Sequence, residues 1–376
     1  MKVKVLNVLT GGLISDGITY SWLNFCSEFV RQDITQWLQM DFVYIEKMSD
    51  SYIENKFLNL GFRVFHLPSR LNNLLSYIYS LYRLLVSEKY DIIHVNGSSS
   101  LLFIEMLVAW GAHIPIRISH SRNTKCSYNL LHNLLRPFFN CLCNVRLSCG
   151  IDAGKWLFGN RNFIVIHNGK SLSTFKFSLD KRTLKRLELN LENKIVIGHV
   201  GKFNHQKNHR FLIDVYEKIH QYLPNTVLYL MGNGKLLNEI KFISEAKNLS
   251  DSIVFANVVS DMPLQLQAMD IMVFPSLFEG LPNVVLEWQA SGLPCIISDV
   301  ITHECAPSSL VDFISLEDSA EIWAQHICNV ISKNYDRKLE SQKAIQALKK
   351  EGFDISDATS SLINVYLKSL EFYGKS

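Results

Sequence analysis

Short runs of branched and aromatic residues alternate with longer, helically periodic apolar stretches along almost all of this 376-residue chain. Seven such runs come first, at residues 2–10, 42–46, 63–68, 91–97, 114–121, 145–150 and 163–169. Each ends in small, polar or His residues, and most are separated by enough chain for a crossover helix. That pattern reads as a parallel α/β sheet with ligand-facing loops at the strand C-termini. It breaks at residues 170–193, a polar stretch rich in Lys, Ser, Asp, Glu and Asn, which reads as a linker. A second series follows at 194–201, 226–234, 252–258, 270–276 and 293–299. The expected architecture is two Rossmann-like, doubly wound α/β domains, 1–175 and 176–354, facing a central cleft. The amphipathic segment 355–376 is expected to cross back onto the first domain.

Charge separates the halves. The whole chain carries +3, but residues 1–175 carry +6 and residues 176–376 carry −3. So mild a bias does not announce nucleic acid. In the first half, Arg63, Arg70, Arg83, Arg117, Arg122, Arg136 and Arg146 lie among aromatics and leucines. That mixture suits an anionic membrane surface, although any one Arg alone reads as an ordinary solvated side chain. The most apolar stretches, 74–86 and 101–110, contain Arg83 and Glu105 and fall short of the ~20 residues a membrane span needs. The first residues read as a strand rather than a signal peptide. A cytoplasmic protein, soluble or peripherally membrane-bound, is expected. None of the eight cysteines forms a CxxC pair, and Cys141, Cys143 and Cys149 fit no metal spacing, so reduced core thiols are expected.

The strongest motif is PSLFEGLPNVVLEWQASGLPCIISD, residues 275–299. A buried strand leads into a loop with Glu279 and Gly280, Pro282 stands at a plausible first helical position, and Gly292-Leu293-Pro294 closes the helix. Such a helix start favours phosphate oxygens. Glu287 lies eight residues beyond Glu279 and about 7.5 Å along the axis from Pro282, so the two carboxylates could reach different hydroxyls of one ligand. In a second motif, IGHVGKFNHQKNHRFLIDV at 197–215, a strand ends in Gly201 and its loop carries Lys202 and Lys207. Two lysines before a helix make an anion cradle for a diphosphate. Gly11-Gly12 after the first strand and Gly232-Asn233-Gly234 both fall short of GxGxxG, which weakens a dinucleotide reading. His94, His120 and His167 sit at first-domain strand ends, and Ser121, Arg122 and Asn123 follow His120 where ligand is expected.

Together, GKFNHQKNH, LMGNG and FPSLFEGLPNVVLEWQASGLP resemble glycosyltransferase family 4, the retaining GT-B enzymes of bacterial surface polysaccharide synthesis. DIIHVNGSSS, RISHSRNT, VIHNG and SDVITHE are similar to its capsular and exopolysaccharide branch, including O-antigen synthesis. The resemblance implies that the second domain binds a nucleotide-sugar and the first an acceptor. Glu287 would hydrogen-bond the ribose. Glu279 would hold donor-sugar hydroxyls beside Gly280, Leu281 and Pro282. Lys202, at a position usually Arg, and Lys207 would neutralise the diphosphate near Gly201, Gly232 and Gly234. Gly11 and Gly12 would approach the phosphates from the other domain, and His120 would lie next to the reacting sugar carbon. His120, Glu279 and Lys207 are thus the implied catalytic set.

No cofactor and no metal are implied, in keeping with the lack of a DxD-type pair on a suitable strand end. The implied donor is a UDP-sugar, with GDP open. The expected acceptor is a polyprenyl-diphosphate-linked oligosaccharide at the cytoplasmic surface of the inner membrane. A sugar-nucleotide epimerase, an NAD-dependent oxidoreductase and a non-catalytic GT-B partner subunit are the alternatives.

Overall fold

The computed structural model describes residues 2–14, 16–45, 50–70, 72–124, 126 and 128–374, so Glu46 and the last two residues of the expected terminal segment lie outside the described residues. It divides into two units. The first comprises Met1–Lys170 and Gly352–Ser376, the second Ser171–Glu351.

The first unit is built on seven parallel strands, β1 (Val3–Leu9), β2 (Leu38–Tyr44), β3 (Arg63–His66), β4 (Ile92–Gly97), β5 (Ile116–Ser121), β6 (Val145–Ser148) and β7 (Ile164–Val165), in the order β3-β2-β1-β4-β5-β6-β7. The period-2 alternation of a strand sends its side chains to two cores. From β1, Val5 and Leu9 join Phe42, Ile92 and Ile118 on one face, whereas Leu6 and Val8 join Val43, Ile93 and Val95 on the other. The first face is closed by the helix Gly17–Arg31, capped by the Asp16 carboxylate on Thr19 N–H, and by the helix Ile355–Tyr373, capped by Asp354 on Ser356 N–H. Ala358, Leu362, Ile363, Val365 and Tyr366 make the buried stripe of that last helix. Where the chain leaves and re-enters the unit, Lys170 N–H donates to Phe353 O at 2.9 Å and Ile355 N–H to Lys170 O at 2.9 Å. The two crossings are therefore laced side by side.

The second unit has six parallel strands, β8 (Ile195–Val200), β9 (Thr226–Met231), β10 (Ile253–Phe255), β11 (Ile271–Phe274), β12 (Cys295–Ser298) and β13 (Val311–Ile314), ordered β10-β9-β8-β11-β12-β13. In both sheets the order reverses beside the first strand, and ligands of such sheets bind outside the strand C-termini at that reversal.

Two local readings are corrected. Much of the polar run 170–193 is the helix Leu179–Glu188 of the second unit, capped by Ser178. Its Arg182 and Arg186 both reach Asp270, at 2.5 and 3.0 Å, so its charged residues dock it onto the sheet. The edge strand β13 was not anticipated, because VDFI is too short and too polar to stand out. None of the eight cysteines is in a disulfide; five are buried, as expected of core thiols, whereas Cys126 and Cys328 are half-buried and Cys141 is exposed.

Candidate functional site

In the second unit, β8 and β11 are adjacent, so the loops that leave their C-terminal ends are neighbours. The loop after β8 runs through Gly201, Lys202 and Phe203 into a single turn, His205–Lys207, capped by the Asn204 side chain on Lys207 N–H at 3.2 Å. That turn aims Lys207 across the gap. Its Nζ donates to Glu279 Oε1 at 2.6 Å and lies 4.4 Å from the centre of the Phe274 ring. Backbone contacts lock the loops together, with Leu277 N–H donating to Gln206 O at 2.8 Å and Gln206 Nε2 to Phe278 O at 2.9 Å.

The chain then passes exposed Gly280, partly buried Leu281 and buried Pro282 into the helix Asn283–Ala290. Pro282 is the N-cap, not the first helical residue as expected. The free first-turn N–H groups still lie at the end of this loop, because every helix start leaves such groups. Glu287 is one turn further along and only 7% exposed. Lys202 is exposed and makes no ion pair among the described residues.

Gly232 and Gly234 hold the neighbouring loop against this one. Gly232 has φ +145°, and a Cβ there would run into the carbonyl oxygen of Gly201. A Cβ on Gly234 would lie 2.5 Å from Phe203 O, and one on Gly201 3.0 Å from Lys207 Cγ. The glycines are thus required by loop-on-loop packing around Lys207. Behind them, His199 Nε2 and both ring nitrogens of His209 are buried without partners, as are Ser276 Oγ and Asn283 Oδ1. Burial holds His199 well below the usual histidine range and His209 down to about 4.

In the first unit, Gly11 is exposed with open space beside its α-carbon. His120, on β5, is fully buried. Its Nδ1 faces His94 Nε2 at 3.1 Å, and His94 Nδ1 faces the Tyr366 hydroxyl at 2.7 Å. Among the described residues His120 Nε2 has no hydrogen-bond partner, and burial followed by the Arg122 charge keeps the ring neutral.

Arg122, expected near ligand after His120 and also counted among the basic residues of a membrane-facing surface, is only 8% exposed. Its Nε and Nη2 donate to Asn96 Oδ1 at 2.9 and 2.7 Å, its Nη1 donates to Asn168 Oδ1 at 2.7 Å, and its guanidinium lies over Trp22. Most other arginines of that set are also structural. Arg63 pairs with Asp41 and Arg70 with Glu105, while Arg117 and Arg146 donate to backbone carbonyls. The sequence signals were its place directly after His120 and the asparagines of HVNG and IHNG.

The structure thus brings Gly201, Lys207, Gly232, Gly234, Glu279, Gly280, Leu281, Pro282 and Glu287 into one loop cluster of the second unit. Gly11, Gly12 and His120 belong to the first.

A family model described as "Glycosyl transferases group 1" matches residues 194–333, the part of the chain that carries this cluster. The glycosyltransferase EpsF of Bacillus subtilis (strain 168) is 30% identical over 384 residues, spanning 98% of this chain and 97% of that protein. An Escherichia coli UDP-Gal:alpha-D-GlcNAc-diphosphoundecaprenol alpha-1,3-galactosyltransferase is 27% identical over 83% of this chain and 85% of its own length. The Staphylococcus aureus capsular polysaccharide biosynthesis glycosyltransferase CapH is 27% identical over 78% of this chain and 81% of its length. Among solved structures, Anabaena HepE in complex with UDP and glucose superposes with a TM-score of 0.77 at 16% identity, covering 97% of this chain and 100% of that one, which shows the shared fold. The chain belongs to the group 1 glycosyl transferases, a glycosyltransferase of polysaccharide biosynthesis on the GT-B fold.

Proposed function

We propose that the chain transfers a sugar, with retention of anomeric configuration, from a UDP-sugar to an oligosaccharide carried on a polyprenyl diphosphate. The observation that carries this reading is the Lys207–Glu279 pair at 2.6 Å, held by two loops at the strand ends beside a helix start. Cleavage of the bond from the anomeric carbon to the diphosphate develops negative charge on the leaving group and positive charge on the sugar. Lys202, Lys207 and the first-turn N–H groups at Asn283 meet the first charge, as preorganised donors do in transition states. Glu279, already oriented by Lys207, would hold the sugar hydroxyls, and Glu287 the ribose. Positive groups of the protein would then do what a divalent metal does elsewhere, and activity should persist in a chelator. Lys at position 202 supplies charge without the bidentate fork of Arg. His120 enters as a neutral imidazole, and His120→Ala should lower turnover far more than donor affinity.

The E. coli relative supports the acceptor class, since its name specifies a sugar on a diphosphoundecaprenol. Membrane docking is part of the reading and is supported by one layer of the first unit. The helices Leu74–Glu88, Phe103–Gly111 and Asn129–Leu142 lie side by side. They expose Leu75 and Tyr79, Leu107 and Trp110, and Leu130, Leu134 and Phe138. Their two acids, Glu88 and Glu105, are both neutralised by arginines. Arg83 and Arg136 on the same helices make no ion pair among the described residues. Such a layer fits an anionic bilayer surface. No helix among the described residues is long and apolar enough to cross a membrane.

Thermal shift of the purified protein with UDP, GDP and their sugar conjugates tests the donor. UDP should raise the unfolding midpoint, and Glu287→Ala should abolish the rise. Turnover of the donor sugar without acceptor into an epimer would favour the epimerase instead. Absence of any response would favour a non-catalytic subunit. For docking, the protein should pellet with phosphatidylglycerol vesicles at low salt and release at high salt, and failure to pellet at either would sink that part.

A further inference from the structure

Arg122 is a buried cation with no counter-ion among the described residues. It follows β5 directly, at the C-terminal edge of the first sheet, where its N–H donates to Gly97 O at 3.2 Å. Two amide oxygens, Asn96 Oδ1 and Asn168 Oδ1, take three of its side-chain N–H groups. Those amides are themselves fixed: Asn96 Nδ2 donates to Asn7 Oδ1 at 2.7 Å, Trp22 Nε1 donates to Asn96 Oδ1 at 3.0 Å, and Ser21 Oγ donates to Asn168 Oδ1 at 3.1 Å. No carboxylate pairs with the guanidinium among the described residues. Asp16, whose charge it feels, caps the N–H of Thr19 at 2.8 Å instead. Neutral amides orient a guanidinium without cancelling its charge, and burying an uncancelled charge is costly. Of the five N–H groups an arginine side chain carries, two have no acceptor among the described residues. A fork held rigid, partly dehydrated and short of an anion is suited to a phosphate.

We propose that Arg122 takes a phosphate of the acceptor's lipid-linked diphosphate, making the sheet edge around Asn96, Arg122 and Asn168 the acceptor's anion site. The inference rests on the reading of the acceptor given above. In that reading the donor's diphosphate is met by lysines of the second unit, which leaves Arg122 of the first for the acceptor's. Arg122 binds and positions, and takes no part in bond making.

The test measures binding of farnesyl diphosphate, farnesol and UDP to the full-length protein, with Arg122→Gln and Arg122→Lys beside the wild type and the unfolding midpoint of each as a check on folding. Wild type should bind farnesyl diphosphate at least tenfold more tightly than farnesol. Arg122→Gln should lose that preference, Arg122→Lys should keep part of it, and UDP affinity should be the same in all three. Loss of UDP affinity with farnesyl diphosphate unaffected would overturn the proposal and assign Arg122 to the donor. Unchanged binding of both in folded variants would make the arginine purely structural. If wild type binds UDP but not farnesyl diphosphate, the acceptor site falls and the donor reading stands; if it binds neither, both fall.

Discussion

His94, His120, His199 and His209 are buried, and dehydration holds all four below the usual histidine range. In the unfolded chain each takes up a proton below about pH 6.5. The unfolded state therefore binds more protons than the folded one as pH drops, and stability must fall with it. His209 keeps its neutral form down to about 4, so the loss accumulates between about pH 6.5 and 4. The unfolding midpoint should drop by several degrees between pH 7.5 and 5, and His209→Gln, which removes one titrating ring, should make the decline shallower. A flat midpoint across that range would contradict the buried neutral rings. At this scale the two motifs singled out Lys207 and Glu279, but not their ion pair, which depends on β8 and β11 being neighbours in the sheet. The sequence placed Arg122 beside His120 but did not show its burial, because only tertiary packing tells a solvated arginine from one threaded between two asparagines and a tryptophan.

Among the elements, the helix Arg337–Lys350 is anchored through Arg337 to the C-terminal ends of the helices Met262–Ala268 and Asn283–Ala290. Arg337 is buried, and its guanidinium donates to Ser291 O, Gln267 O, Met269 O and Leu266 O. Arg337→Met would fill much the same volume but strand those carbonyls, for a cost of about 3 kcal/mol or more. A fall of roughly 6–12 °C in the midpoint is expected, at about 2–4 °C per kcal/mol for a unit of this size. The Gly232 turn is equally exacting. At φ +145° and against Gly201 O, Gly232→Ala should displace the Lys207 loop, weakening UDP binding more than tenfold while the fold survives. The alternation of strand and helix was legible because apolar runs and loop glycines mark it. The helix Leu179–Glu188 was not, since its inward residues include Lys185 and Arg186, whose aliphatic stems pack while their charged ends find Glu188 and Asp270.

For the molecule as a whole, two tandem parallel sheets could be read from the repeat of the pattern, and the amphipathic terminal segment from its stripe. The exact crossing points could not, because the lacing of Lys170 to Phe353 and Ile355 is made by backbone groups that carry no sequence signal. A chain ended after Glu351 should retain the cooperative unfolding of the second unit. It should expose the apolar face that Leu362, Val365 and Tyr366 cover, seen as strong binding of a hydrophobic dye. Undiminished folding of the first unit in that truncation would refute the packing described.

The laced crossing also sets an order of birth. The second unit is an insertion within the first, so during synthesis it can close while the earlier sheet still awaits the final nineteen-residue helix. The domain begun first is the last to be finished. Until then the aromatic bed of Trp22, Phe25 and Phe42 stands uncovered as the ribosome works through some 180 residues. For that interval the nascent chain is a client for whatever holds exposed apolar surface apart, and the emergence of the helix Ile355–Tyr373, rather than the boundary at Lys170, is the point at which the first unit can fold.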